Sequence, residues 1–504
     1  MTRASTPRLV VVGAGSAGAS IAALGSASQP VLLLEAGPDY APEVALPDEL
    51  ERGGRNALVH HDWGYRHRRS PNRTMQRMPR GRVVGGSSAV NTCIALRGAP
   101  YDYDEWGLDD WTYEACLPAF RALEHDVDFG DAPLHGADGP IPIRRHPPEE
   151  LVPWQAAFLD VCAQHGVPRA DDANDPSQTG AGPTPMNKIE GRRVSAAAGY
   201  LTAEVRARDT FTLRADTHVR RVVFERRRVV GIEVESRGAV ETIAADRVFL
   251  CAGALATPGI LLRSGVGPKE ELTRLGVELV ADVPGVGAQL LDHPGTAIFF
   301  RPRPGGLVRG APLIQTLMRY STERTNDMQL QPGSVVPLPR FDLPLMSLMC
   351  SVGKPRSRGT LRFPSADPHQ KPVVESNLFD DSADLELAVD GILRLRALFA
   401  DSDLARLGRH FLPREKTFAD RAAVARWIRF ACDSGYHPSG TARMGPDADP
   451  GAVTDPRGRV RGVQGLFVAD ASLFPTIPSC NINVPTLMLG HRFGVWLRDG
   501  ALDA

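Results

Sequence analysis

Gly13, Gly15 and Gly18 stand at the spacing of a phosphate-binding turn, and a carboxylate, Glu35, ends the next apolar run, VLLLEAG. In such a turn the first glycine permits a tight bend, the second lets a pyrophosphate approach the backbone, and the third lets a helix lie against a strand. The acid can hold a ribose hydroxyl. Ser16, Ala17 and Ala36 flank these positions, and the whole reads as a dinucleotide fingerprint. Much further along, His437 is enclosed by Gly435, Ser439 and Gly440, small residues that would leave room for a substrate. Imidazole is the side chain whose ordinary pKa lies nearest neutrality, so it is suited to take a proton from a hydroxyl. The same histidine could simply end a turn before Pro438; its neighbours alone leave both readings open. Tyr436, just before it, would wall the pocket with an aromatic ring.

The elements that must position these groups are legible in outline. The fingerprint's strand begins within ten residues of Met1, and strand, turn, helix and second strand follow at the expected intervals. Leu9 to Ser28 is also apolar and small enough to resemble a secretory signal core. Glycines at these intervals, a second strand closing on an acid, and only Arg3 and Arg8 as a positive region speak for the nucleotide fold. In GGSSAVN, Gly85 and Gly86 would let backbone pass close to a flat ring, though a plain turn explains them equally well. CAGALATPGILLRSGVG follows a strand at Val248 to Cys251, with Thr257 as a helix cap, Pro258 at the first helical position and Gly265 as the stop. GLFVAD is another strand ending in an acid, Asp470. Beyond it, Pro485 just inside an apolar run (Val484, Leu487, Met488, Phe493) makes Asn483 a natural N-cap.

At 504 residues the chain has room for two to four domain-sized units. Its 58 basic residues, only five of them lysine, nearly balance 59 acidic ones. That leaves no global field for nucleic acid and favours a small-molecule partner. Seven cysteines without a C-x-x-C pair point to reduced thiols rather than a disulfide frame, and no metal site is expected. No apolar run reaches the ~20 residues needed to span a bilayer, so a soluble, cytoplasmic protein is expected. Asp39 to Arg82 is rich in Pro, Gly and Arg (Arg66, Arg68, Arg69, Arg73, Arg77, Arg80, Arg82) and reads as a loop covering the nucleotide rather than as an anion patch. FTLRAD, VRRVVFE, VVGIEVE and DRVFLCAG suit a small sheet. LPLMSLMCSV and TLRF are strands around a turn at Lys354 to Gly359, and Leu385, Val389, Ile392, Leu395 and Leu398 recur at helical spacing.

Five of these stretches, in order, resemble the glucose-methanol-choline (GMC) family of flavin oxidoreductases. They are the N-terminal fingerprint, Gly81 to Asp104, Gly253 to Gly267, VPGVGAQLLDHP and HPSGTARMG, with the C-terminal DASLFPTIPSCNINVPT agreeing. The resemblance covers essentially the whole chain. It implies an α/β fold: a Rossmann-like FAD-binding domain, assembled from 1–298 and 433–504 with 39–82 as a covering segment, and a substrate domain at 299–432 built on an antiparallel sheet covered by helices. It implies oxidation of a primary or secondary alcohol to a carbonyl, with hydride passing to flavin N5, His437 as base and Asn483 positioning the substrate oxygen. It carries cofactor contacts over to Gly13, Gly15, Ser16, Ala17, Gly18, Glu35 and Ala36; to Arg82, Val84, Gly85 and Ser88; and to Ala252, Asp470, Ala471, Pro485 and Thr486. Asn91, Thr92, Cys93 and Ile94 would lie beside the isoalloxazine ring and Val219 at the adenine, while His293 in LDHP would be structural. Choline-oxidising members bond FAD covalently through a histidine where this chain has Val90, so a non-covalent flavin is implied. The His–Asn pair behind Tyr436 resembles members acting on aryl or furanyl alcohols. The electron acceptor, oxygen or another, is not written in the motifs. The family also includes lyases and a light-driven decarboxylase that keep FAD without oxidising an alcohol.

Overall fold

The computed structural model describes residues 9–57, 59–70, 75–338, 341–400 and 402–502; Arg3, Arg8 and Arg73 lie outside them. Leu9–Val12 and Val31–Leu34 are four-residue runs of buried aliphatic side chains, the composition of strands covered on both faces. They lie side by side in a five-stranded, wholly parallel sheet in the order Phe211–Arg214, Val31–Leu34, Leu9–Val12, Arg247–Leu250, Leu466–Val468. The four runs expected to form one small sheet thus divide. FTLR and RVFL join the parallel sheet, while the longer alternating segments Thr217–Glu225, Arg228–Ser236 and Ala239–Ala244 form a separate antiparallel sheet. Length and alternation separate the two kinds, because a strand with one wet face keeps polar residues at every second position.

Two helices sandwich tightly on this sheet. Ser16–Gly25 begins at the glycine turn and packs along Asn483–Arg498. Glycines permit the approach: a Cβ on Gly490 would lie 2.4 Å from Ala17 Cα, and one on Gly494 would lie 2.9 Å from Leu24 Cβ. Gly18 does the same on the other side of the first helix, where a Cβ would lie 1.9 Å from Gly13 O.

The second unit is an antiparallel sheet in the order Gly408–Leu412, Pro294–Pro302, Phe341–Val352, Met328–Leu338, Thr316–Tyr320, Gly180–Pro183. The helix Ser382–Phe399 buries Leu385, Val389, Ile392, Leu395 and Leu398 against it. Its core also takes Trp154, Phe158, Val161 and Cys162 from the helix Pro153–Gln164. Sheet and core therefore draw on residues well before 299. TLRF does not pair with LPLMSLMCSV. Thr360–Arg362 instead enters a four-stranded sheet with Val373–Glu375 and with Arg66–Arg68 and Gln76–Arg77 of the covering segment. No helix among the described residues is long and apolar enough to cross a membrane.

Replacing Gly490 by alanine weighs two effects. Alanine gains about 1 kcal/mol in helix propensity, but its methyl group would press on the Ala17 backbone, and overpacking of this kind costs about 1–3 kcal/mol or more. Gly490→Ala is expected to lower the thermal midpoint measured at fixed scan rate; a midpoint at or above the parent's would contradict the close helix contact.

Candidate active site

A cavity of about 700 Å³ runs from the end of the Val31–Leu34 strand to the loop before the last helix. Gly13, with φ +96°, turns under Cys251. A Cβ on Gly86, φ +53°, would lie 2.7 Å from Gly15 Cα, so two backbones meet at the floor with no side chain between them. At one end Glu35 accepts hydrogen bonds from Ala14 N (3.0 Å) and Gly37 N (2.9 Å). Burial pushes its pKa up to about 7, against the pull of those two N–H groups. The carboxylate therefore ties the strand end to the glycine turn as well as facing the cavity. Asp470 makes the corresponding tie at the other strand ends, accepting from Gly253 N (2.8 Å), Thr257 Oγ1 (2.6 Å) and Ser472 N (2.8 Å). Thr257 is thus not the helix cap expected of it: Ala256 holds that position, and the hydroxyl serves the buried acid.

Most of the residues expected to touch a cofactor line this cavity: Gly13, Gly15, Ser16, Ala17, Glu35, Ala36, Arg82, Asn91, Thr92, Ile94, Val219, Ala252, Asp470, Ala471 and Thr486. Gly18, Val84, Gly85, Ser88, Cys93 and Pro485 are not on its wall. Ser88 supports from behind, its hydroxyl donating to Gly85 O and accepting from Ala196 N. Cys93 is fully buried in an apolar cluster with Ile94, Leu96 and Met186. Arg80 and Arg82 of the covering segment line the cavity. Arg66 and Arg69 hold Met75 O and Cys432 O, Arg68 pairs with Glu375, and Arg77 lies on the strand paired with Arg66–Arg68. Sequence reasoning missed the row of tilted rings Trp63–His218–His369, with centroids 5.7 and 5.3 Å apart, all three on the cavity wall.

His437 sits at the other end, where a buried frame holds it from behind. Asp292 Oδ1 accepts from His437 N (3.0 Å), and its other oxygen takes the Ser434 hydroxyl, which in turn accepts from Tyr436 N (2.7 Å). Arg80 donates to Tyr436 O at 2.5 Å and so helps hold Tyr436 at φ +62°, an unusual value for a bulky residue. Gly435 is small for a reason other than substrate space: a Cβ there would lie 2.8 Å from His437 Nδ1. That nitrogen lies 2.9 Å from His293 Nδ1, and His437 Nε2 lies 3.2 Å from Asn481 Nδ2. Burial, then His293 and Arg80, hold the His437 pKa well below its usual value, so the ring is neutral at neutral pH.

Asn483 is placed differently from the expectation. Its Oδ1 accepts from Ser16 Oγ at 2.8 Å; Asn481 is the asparagine that reaches His437. Nor is Asn483 an N-cap. It is the first residue of the helix, Ile482 stands at the cap, and no side chain caps it. Both asparagines were visible in CNINVP, and only the helix start separates them: Asn481 precedes it and turns to His437, while Asn483 is carried onto the first helix. The Asn483 amide nitrogen is buried on the cavity wall without a partner. A glycine-floored groove with an acid at one end and an orphaned amide donor along its wall fits a bound dinucleotide that brings acceptors of its own.

Comparison with known proteins agrees with the geometry. Two sequence models described as GMC oxidoreductase match residues 8–295 and 355–490. The chain is 35% identical to 5-(hydroxymethyl)furfural oxidase of Methylovorus sp. (strain MP688), over 96% of this chain and 97% of that protein. It is 34% identical to choline oxidase of Arthrobacter globiformis, over 96% and 92%. Among solved structures, pyridoxine 4-oxidase from Mesorbium loti superposes with a TM-score of 0.89 at 29% identity, covering 97% of this chain and 98% of that one. A glycine turn, a buried frame around a neutral histidine and matches across nearly the whole length make one case: the chain belongs to the GMC oxidoreductases and is an FAD-dependent alcohol oxidoreductase.

Proposed function

We propose that the protein oxidises a primary or secondary alcohol, of aryl or furanyl type, with His437 as the base and Asn481 rather than Asn483 holding the substrate oxygen. The observation that carries this is the His437 ring on the cavity wall with the Asn481 amide against its Nε2. FAD, when bound, supplies the hydride acceptor. Gly13, Gly15, Ser16 and Glu35 would hold its nucleotide half, and Asn91, Thr92, Ile94 and the Asn483 amide its ring. His437 Nε2 takes the hydroxyl proton, and the Asn481 N–H bonds the oxygen as its charge builds. Ile482, Asn483 and Thr486 bring the first turn of the Asn483–Arg498 helix to the cavity wall, and that positive end favours negative charge nearby. Arg80 is close enough to depress His437, and this neighbouring cation disfavours a quaternary ammonium substrate. Val90 lines the cavity and has no nucleophile, and Cys93 is off its wall, which supports a flavin bound without a covalent link.

Mixing holoenzyme anaerobically with furfuryl alcohol, benzyl alcohol and choline tests the reading. The first two are expected to bleach the flavin faster; no bleaching by any alcohol would favour a lyase or decarboxylase instead. Repeating the panel in air tells whether oxygen is the acceptor. His437→Ala is expected to keep FAD and to lose the ~10²- to 10⁴-fold that a general base contributes. Asn481→Ala should slow flavin bleaching more than it weakens FAD binding, and Asn483→Ala the reverse. The flavin is expected in the supernatant after acid precipitation; a yellow pellet would mean a covalent link.

The burial that readies His437 also sets an acid limit. His293, His218 and His491 are likewise held down to about 4, in each case first by burial. In the unfolded chain they would titrate near 6.5. As pH falls through 6.5 the unfolded state takes up protons that the folded state refuses, so folding loses stability between pH 6.5 and 4. His135 has the opposite sign: burial opposes its charge, but Asp126, Asp172 and Glu124 outweigh it and raise it to about 10. Its contribution is therefore complete below 6.5 and lost toward pH 10. The thermal midpoint is expected to peak near neutrality; a midpoint unchanged from pH 7 to 4.5 would contradict the buried neutral histidines.

A further inference from the structure

His437 can act as a base only in one of its two neutral tautomers, because the nitrogen that faces the cavity must carry the lone pair. The surroundings decide which tautomer forms, and the decision starts two residues away from the substrate. Gly353 O lies 3.0 Å from His293 Nε2. A carbonyl only accepts, so His293 Nε2 bears the hydrogen and, in the neutral ring, His293 Nδ1 is an acceptor. That acceptor lies 2.9 Å from His437 Nδ1, which must then be the N–H. The remaining lone pair of His437 is on Nε2, where the Asn481 amide N–H meets it at 3.2 Å. The Gly353 carbonyl, which can only accept, fixes the first assignment, and the other two follow from it along the chain of contacts.

We propose that His293 is a positioning residue for the reaction: it passes the polarity of the Gly353 carbonyl to His437 and holds His437 in the tautomer whose Nε2 carries the lone pair that takes the proton. The inference rests on the reading of His437 as base, and it gives His293 more than the structural part expected of LDHP. A backbone carbonyl as the origin of the chain matters, since it can neither titrate nor rotate away. The partner itself matters too. Histidine bases are often oriented by a carboxylate, which also stabilises the imidazolium. Here the orienting group is a buried neutral imidazole, which fixes the tautomer without adding an anion, so His437 is aligned but not made to keep the proton it takes.

Nitrogen-15 histidine labelling of the holoenzyme, with the His437 signals assigned by their loss in His437→Ala, reads the tautomer directly. The expected spectrum has a protonated Nδ1 and an unprotonated Nε2; the reverse would overturn the proposal whatever the kinetics. His293→Leu keeps bulk and removes the acceptor. Its anaerobic flavin reduction is expected to slow by at least about 10-fold, up to the ~10²- to 10⁴-fold worth of a general base, with little change in KM. His293→Asn, whose Oδ1 can accept the same N–H, is expected to restore much of the rate. His293→Leu reducing its flavin at the parental rate would overturn the proposal; if that variant does not fold, the parent's tautomer decides. Should His437→Ala reduce its flavin normally while the parent shows the Nδ1–H form, the base reading fails and the tautomer assignment stands.

Discussion

The first turn of the Ser16–Gly25 helix is wedged among backbones from distant parts of the chain, and the nucleotide-binding half is arranged so that they can fit. Gly13 passes under the end of the Arg247–Leu250 strand, Gly15 meets Gly86, and Ala17 meets Gly490. Each contact would be broken by a single methyl group. What gathers there is mostly N–H groups and small side chains, which is what a pyrophosphate and a flat ring need. The sheet supplies the rigidity, since its strands Leu9–Val12 and Val31–Leu34 are buried along their whole length, and the second helix packs over the first.

Buried carboxylates hold this arrangement, and they do so by accepting backbone N–H groups rather than by pairing with cations. Glu35 takes the N–H groups of Ala14 and Gly37, Asp470 those of Gly253 and Ser472, and Asp292 that of His437. A carboxylate satisfied in this way can be buried without a counter-ion at its side, and it fixes where the loop goes. The acid beside His437 meets it through the backbone, Asp292 Oδ1 accepting from His437 N, while the ring nitrogens face His293 and Asn481.

The glycine turn, the acid after the second strand, the Ser382–Phe399 helix and the histidine were legible from residue type and spacing, because each follows from local rules of sterics or periodicity. What was not legible depends on where distant segments end up. The two asparagines of CNINVP are chemically equivalent as letters, and only the exact start of the last helix sends Asn481 to His437 and Asn483 to Ser16. FTLR and TLRF resemble other short strands, yet their partners lie elsewhere in the chain, in the parallel sheet and in the covering segment. Thr257 looks like a cap by position, but a buried acid 213 residues away claims its hydroxyl. The small residues around His437 looked like space for a substrate, and at Gly435 they are space for the histidine ring itself.

The hydrogen bond from Ser16 to Asn483 spans 467 positions of sequence, and it has a meaning for how the molecule is made. A ribosome releases the glycine turn well before the helix that closes over it, so the half-site stays open while the residues between them are made. The central sheet has the same problem, because its Leu466–Val468 edge arrives after everything it pairs with. Contacts so far apart in sequence form slowly and leave strand edges exposed meanwhile. The walls of the cavity are therefore complete only once segments 467 positions apart have both been made and have met.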